Sequence, residues 1–154
     1  MPRTGSTILV VDDELAIRRV LKVCLDSSGY FVHEAISGRE ALRAVLEIQP
    51  DLIILDLGLP DMDGGNVVSK VRESNQCPIL ILSVRGQESE KAAVLDMGAD
   101  DYLTNLLGPE NYWLVYGPFS AVAAAPAWFA RLSVAVLRSI LGGAEHCWKA
   151  RRFG

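Results

Sequence analysis

The chain has 154 residues, half of them hydrophobic, with 15 Lys/Arg against 19 Asp/Glu and a net charge of −4. That length accommodates one well-buried domain plus an appendage and is too short for two full domains; the acidic balance argues against non-specific nucleic-acid binding as the main role of the folded part. Cys24, Cys77 and Cys147 are an odd number without CxxC or Cys/His spacing, which supports neither a disulfide framework nor a zinc site and leaves reduced cytosolic thiols as the expectation.

The opening residues, Met-Pro-Arg-Thr-Gly-Ser-Thr, have no signal-peptide apolar stretch and lead into a first strand predicted over about 7–11. Its apolar run Ile8-Leu9-Val10-Val11 ends in the acid pair Asp12-Asp13. Leu15, Val20, Leu21, Cys24 and Leu25 mark the buried stripe of a first helix stopped by Gly29, and a second strand follows at about 30–34. Ala41, Leu42, Val45 and Leu46 give a second helix its face, and Pro50 ends it. The third strand, about 51–55, is an unbroken apolar run, Leu52-Ile53-Ile54-Leu55, closed by Asp56. A third helix around 65–74 buries Val67, Val68 and Val71; a fourth strand spans about 78–82 and is followed by Ser83. A fourth helix around 88–97 buries Ala92, Val94 and Leu95 and stops at Gly98, and a fifth strand lies at about 101–103.

Alternating strands and helices of this kind predict a doubly wound α/β domain with a parallel sheet, in which ligands bind beyond the carboxyl ends of the strands. Asp12, Asp13, Asp56 and Ser83 all stand at such ends. Clustered carboxylates repel one another and call for a hard cation with oxygen preference, for which Mg2+ is the natural candidate. A carboxylate beside such a cation is also a competent nucleophile toward phosphorus, which selects Asp56 as nucleophile and Asp12-Asp13 as metal holders. The plainer alternative for Asp12-Asp13 is an N-cap for the helix beginning near Leu15. Asp61 and Asp63, within Pro-Asp-Met-Asp-Gly-Gly, suit turns and caps better than ligation. His33 is expected to face solvent.

The segments ILVVDDE (8–14), DLIILDLGLPDMDG (51–64), PILILS (78–83) and GADDYLT (98–104) occur in the order and spacing of a known family, and the chain resembles the receiver domain of two-component response regulators. AIRRVL (16–21) and DLGLPDMDG look most like the winged-helix (OmpR/PhoB-like) class, in its potassium-transport branch. The resemblance implies a flavodoxin-like five-stranded parallel sheet of order 2-1-3-4-5. It implies a switch rather than a catalyst, with Asp56 taking a phosphoryl group from a sensor histidine kinase in the cytoplasm. Asp12, Asp13, Asp56 and the carbonyl of Gly58 would bind Mg2+, and Ser83 and Tyr102 would report phosphorylation. A homodimer through the fourth-helix and fifth-strand face belongs to the same expectation.

After Thr104 the family pattern breaks. A lysine, then Pro-Phe and an amphipathic fifth helix with arginines are expected, and the chain has Asn105-Leu106-Leu107, with Pro109, Gly117, Pro118 and Pro126 interrupting the span. Residues 1–104 carry 10 Lys/Arg against 17 Asp/Glu, whereas residues 105–154 carry 5 against 2 and hold all three tryptophans. A single-base deletion in codon 105 accounts for the lost lysine and the altered composition together. The expected organisation is therefore a receiver domain over 1–104 and an aberrant tail over 105–154, without direct DNA binding and with weakened dimerisation and switching. The competing readings are an Asp-nucleophile phosphatase, which resembles an Asp-x-Asp pattern whose second place is here Gly58, and an adaptor with a tail that binds a membrane or partner. Pro126, Arg131 and Arg138 argue against a spanning segment within 120–141.

Overall fold

A computed structural model describes residues 6–27, 29–83 and 88–104, without the side chains of Ser83, Glu88 and Thr104. The expectations for Asn105 and the tail lie outside the described residues. Among the described residues nine elements alternate: β1 (Thr7–Val11), α1 (Leu15–Ser27), β2 (Phe31–Ala35), α2 (Gly38–Ile48), β3 (Leu52–Asp56), α3 (Gly64–Arg72), β4 (Ile79–Ser83), α4 (Glu88–Asp96) and β5 (Asp101–Thr104). The strands form one sheet of order β2-β1-β3-β4-β5, every pair parallel. The alternating pattern predicts the parallel sheet, and the strand order is the one the family resemblance implies.

The central strands are apolar throughout because both faces of the sheet are covered. Alternate residues divide into two cores. Ile8, Val10, Leu52, Ile54 and Leu80 pack with the α1 stripe of Val20, Leu21, Cys24 and Leu25. Leu9, Val11, Ile53, Leu55, Ile79 and Ile81 pack with α2, α3 and α4 through Ala41, Val45, Val67, Val68, Val71 and Val94. β2 is an edge strand, with Phe31, His33 and Glu34 exposed and only Ala35 fully buried.

Several predicted faces need correction. Leu46 is 70% exposed, because on the helical wheel it lies roughly 100° beyond Val45 and away from the sheet. Leu15 is half exposed at the start of α1, off the stripe that Leu21 and Leu25 define. Ala92 is exposed, on the side of α4 opposite Val94. β2, β3 and β4 each begin and end one residue later than predicted, and α3 ends two residues earlier.

Helix ends show where local chemistry takes over. Ser37 caps α2 by accepting the Glu40 N–H, and Asp63 caps α3 by accepting the Gly65 N–H. α2 leaves its axis through Gln49 in a left-handed conformation immediately before Pro50. Gly98, at φ 118°, ends α4; a Cβ there would be strained and would come within 2.9 Å of Arg72 Cγ.

Candidate metal and phosphoacceptor site

β1 and β3 are direct neighbours in register, Val11 opposite Leu55, so the residues that follow their ends emerge side by side. Asp12, Asp13 and Asp56 each bring a carboxylate oxygen to within 4.8 Å of the other two. Asp12 is buried, Asp56 half-buried and Asp13 exposed, giving a pocket open at one wall. Asp12 and Asp13 are consecutive, and only the β1/β3 adjacency brings Asp56, distant along the chain, to them.

Each acid is oriented by its surroundings. Asp12 donates its N–H to the Ala35 carbonyl of β2 (3.1 Å), and its Oδ1 accepts the Glu14 N–H (2.8 Å) as the chain turns into α1. The capping alternative and the cluster thus coexist in one residue. Burial pushes the Asp12 carboxyl up to about 7, with repulsion from Asp56, Asp13 and Glu14 adding to the shift. Burial also raises Asp56, partly offset by N–H groups of Gly58 and Leu57 that donate to its carboxylate, while Asp13 opposes its ionisation. Two neighbouring acids are therefore held above their ordinary range. A hard divalent cation relieves both penalties at once, and three carboxylates with an open wall suit one that retains waters. The donor set fits such a cation.

Gly58 stands two residues past Asp56, exposed, with its N–H on the Asp56 carboxylate. The loop carrying it is fastened at both ends. Gly64 packs against its start so closely that a Cβ would lie 2.7 Å from Leu57 Cα. Asp61 reaches across to α2, where Oδ1 accepts the Gly38 N–H (2.8 Å) and Oδ2 the Arg39 N–H (2.9 Å). These two donors hold the Asp61 carboxyl below its ordinary range. Asp61 and Asp63 are thus capping residues, as expected, and neither belongs to the acid cluster.

Ser83 ends β4 one residue beyond Leu82, which pairs with Asp56. Tyr102 pairs with Ile81 and is 5% exposed, and its hydroxyl has no hydrogen-bond partner among the described residues. His33 is exposed on the edge strand, as expected.

Arg18 was not singled out from the sequence. It is 8% exposed, donates from Nη1 to the Asp12 carbonyl (2.8 Å), and pairs through Nε with Glu34 Oε1 (3.3 Å). The signal was available: Arg18, Leu21 and Leu25 share the i, i+3, i+7 spacing of the buried α1 stripe, so an arginine there needed a polar partner.

Comparisons with known proteins agree with the geometry. The model of the response regulator receiver domain matches residues 8–111. The KDP operon transcriptional regulatory protein KdpE of Escherichia coli is 46% identical over 103 residues, covering 67% of this chain and 46% of its own. The chain thus spans about half the length of the curated relatives it matches. Among solved structures, the chemotaxis response regulator CheY4 of Vibrio cholerae superposes with a TM-score of 0.64 at 32% identity, over 77% of this chain and 99% of that one. The response regulator TrrA of Thermotoga maritima, in complex with Mg(2+)-BeF, gives 0.59 at 33% identity over 65% of this chain and 86% of that one. Among the described residues no helix is long and apolar enough to cross a membrane. With its 2-1-3-4-5 sheet, its acid cluster at the β1 and β3 ends and these matches, the chain belongs to the response regulator receiver domain family.

Proposed function

We propose that this domain is a phosphoacceptor switch in which Asp56 receives a phosphoryl group from a sensor histidine kinase of the cytoplasm, with Mg2+ as cofactor. The observation that carries the reading is the convergence of the Asp12, Asp13 and Asp56 carboxylates at the ends of adjacent parallel strands. Asp12, Asp13, Asp56 and the Gly58 carbonyl would hold the cation. When bound, Mg2+ would offset the negative charge of the phosphoryl oxygens as they near the carboxylates. The Asp56 carboxylate oxygen attacks phosphorus as the P–N bond to the donor imidazole breaks; the imidazole takes a proton and leaves, and an aspartyl phosphate remains. The Leu57 and Gly58 N–H groups orient the attacking carboxylate, and Asp61 holds their loop against α2.

Ser83 and Tyr102 would then report phosphorylation to the α4 and β5 face, where a homodimer would form. Asn105 stands where the family has lysine, so metal binding is expected to survive and transmission from phosphate to that face to weaken. For residues 105–154 the proposal remains a reading-frame change at codon 105, decided by the nucleotide sequence. Incubation with acetyl phosphate and Mg2+ tests the central reading. Intact mass should show one added phosphoryl group, absent in Asp56→Asn and without EDTA-resistant labelling; labelling that persists in Asp56→Asn would sink it.

A further inference from the structure

Among the described residues, two charged residues are buried, Asp12 and Arg18, and they are bonded to each other. Burying a guanidinium is costly, and a leucine would satisfy the α1 stripe at lower cost. The contacts of Arg18 indicate what the burial achieves. Its Nη1 goes to the main-chain carbonyl of Asp12, and its Nε goes to Glu34 on the neighbouring edge strand. The Asp12 carbonyl belongs to the same planar peptide unit as the Asp13 nitrogen, so fixing that oxygen fixes the plane from which Asp13 departs. The Asp12 N–H is held from the other side by the Ala35 carbonyl. Both peptide planes flanking Asp12 are thereby determined, one by β2 and one by α1. Glu34, in turn, balances the guanidinium charge, so that the clamp does not present an uncompensated cation beside a metal pocket.

We propose that Arg18 is a positioning residue: by clamping the Asp12–Asp13 peptide it sets the affinity of the acid pocket for a divalent cation, with Glu34 holding the clamp in place. The proposal rests on the metal-site reading above and extends it to residues that contact no ligand. Supporting groups of this kind govern metal affinity by fixing ligand orientation.

The test is a calorimetric Mg2+ titration of the full chain and its variants, at a temperature where circular dichroism shows each to be folded. Arg18→Met should weaken Mg2+ binding by about tenfold or more. Arg18→Lys should lose less, because an ammonium can reach the carbonyl but lacks the second nitrogen that holds Glu34. Glu34→Gln should fall on the weakened side of the parent. A role confined to stability would lower the unfolding temperature of these variants and leave the Mg2+ dissociation constant unchanged. A folded Arg18→Met with the parent's affinity would therefore overturn the clamp. If Arg18→Met does not fold, Arg18→Lys decides, and parental affinity there overturns it equally. Failure of the parent chain itself to bind Mg2+ would instead overturn the metal-site reading, and the clamp with it.

Discussion

Tyr102 shows how a single atom records a conflict. Its ring completes the core beneath β5, while its hydroxyl is buried without a hydrogen-bond partner among the described residues. Such a group forfeits the hydrogen bonds that water would provide, about 1–3 kcal/mol. Tyr102→Phe removes the orphan and keeps the ring. Its urea unfolding free energy should equal the parent's or exceed it by about 1 kcal/mol; a loss of similar size would mean that the hydroxyl is engaged after all. At this scale the sequence was partly legible. Asp12, Asp13 and Asp56 could be picked out because carboxylates closing apolar runs have no structural reason to cluster. The depth of Tyr102 could not, because it depends on helices packed over β4 and β5 rather than on its own neighbours.

Elements were easier to read than their edges and faces. Strands β1, β3 and β4 are buried on both sides and announce themselves as apolar runs, whereas a one-residue shift at their ends leaves almost no compositional trace. The faces of α2 and α4 were misjudged at Leu46 and Ala92 because an apolar residue at the margin of a stripe is as compatible with solvent as with the core. The junction made by Arg72 was invisible for a different reason, since its partners lie in two segments outside its own helix. From the last turn of α3 it donates to the carbonyls of Gly98 (2.9 Å), Asn75 (3.2 Å) and Cys77 (2.7 Å), and it meets Asp100 at 2.8 Å. Asp100 also accepts the Ile79 N–H, so one arginine ties α3, the entry to β4 and the α4–β5 turn together. The ion pair is half exposed on the Asp100 side and adds little; the carbonyls matter more. Arg72→Met should lower the unfolding free energy by about 1–3 kcal/mol, and amide exchange should quicken most around Gly98 and Cys77. Uniform loss of protection across the sheet would contradict a local junction.

For the whole molecule the acid pocket is a linkage between protons, metal and folding. Asp12 titrates near 7 when folded and near 4 when unfolded, so the folded state binds more protons between those values. The sign follows: in metal-free protein this group's contribution is fully present below about pH 4 and is lost as pH rises through about 7. The stability lost over that window is on the order of 2–4 kcal/mol. Mg2+ should restore stability, more at pH 8 than at pH 5, because at the lower pH it must displace the Asp12 proton. Thermal unfolding in EDTA and in MgCl2 across this range checks both parts; metal-free stability that rises steadily from pH 5 to 7 would contradict them. None of this coupling could be read from residue types alone. The chain shows which residues are acids, but only the pairing of β1 with β3 brings Asp56 to Asp12 and Asp13.

That order also bears on how the pocket comes into being. β2 follows β1 in the chain yet occupies its outer side, and β3 must return across to the inner side before Asp56 meets Asp12 and Asp13. The pocket is thus a contact of long sequence separation, the sort that closes late and slowly because much chain must be ordered first. A nascent β1-α1-β2 segment holds two of the three acids and none of the enclosure. On the proposed metal-binding reading, cation affinity would be acquired only on completion of the central sheet, and metal occupancy would mark finished folding.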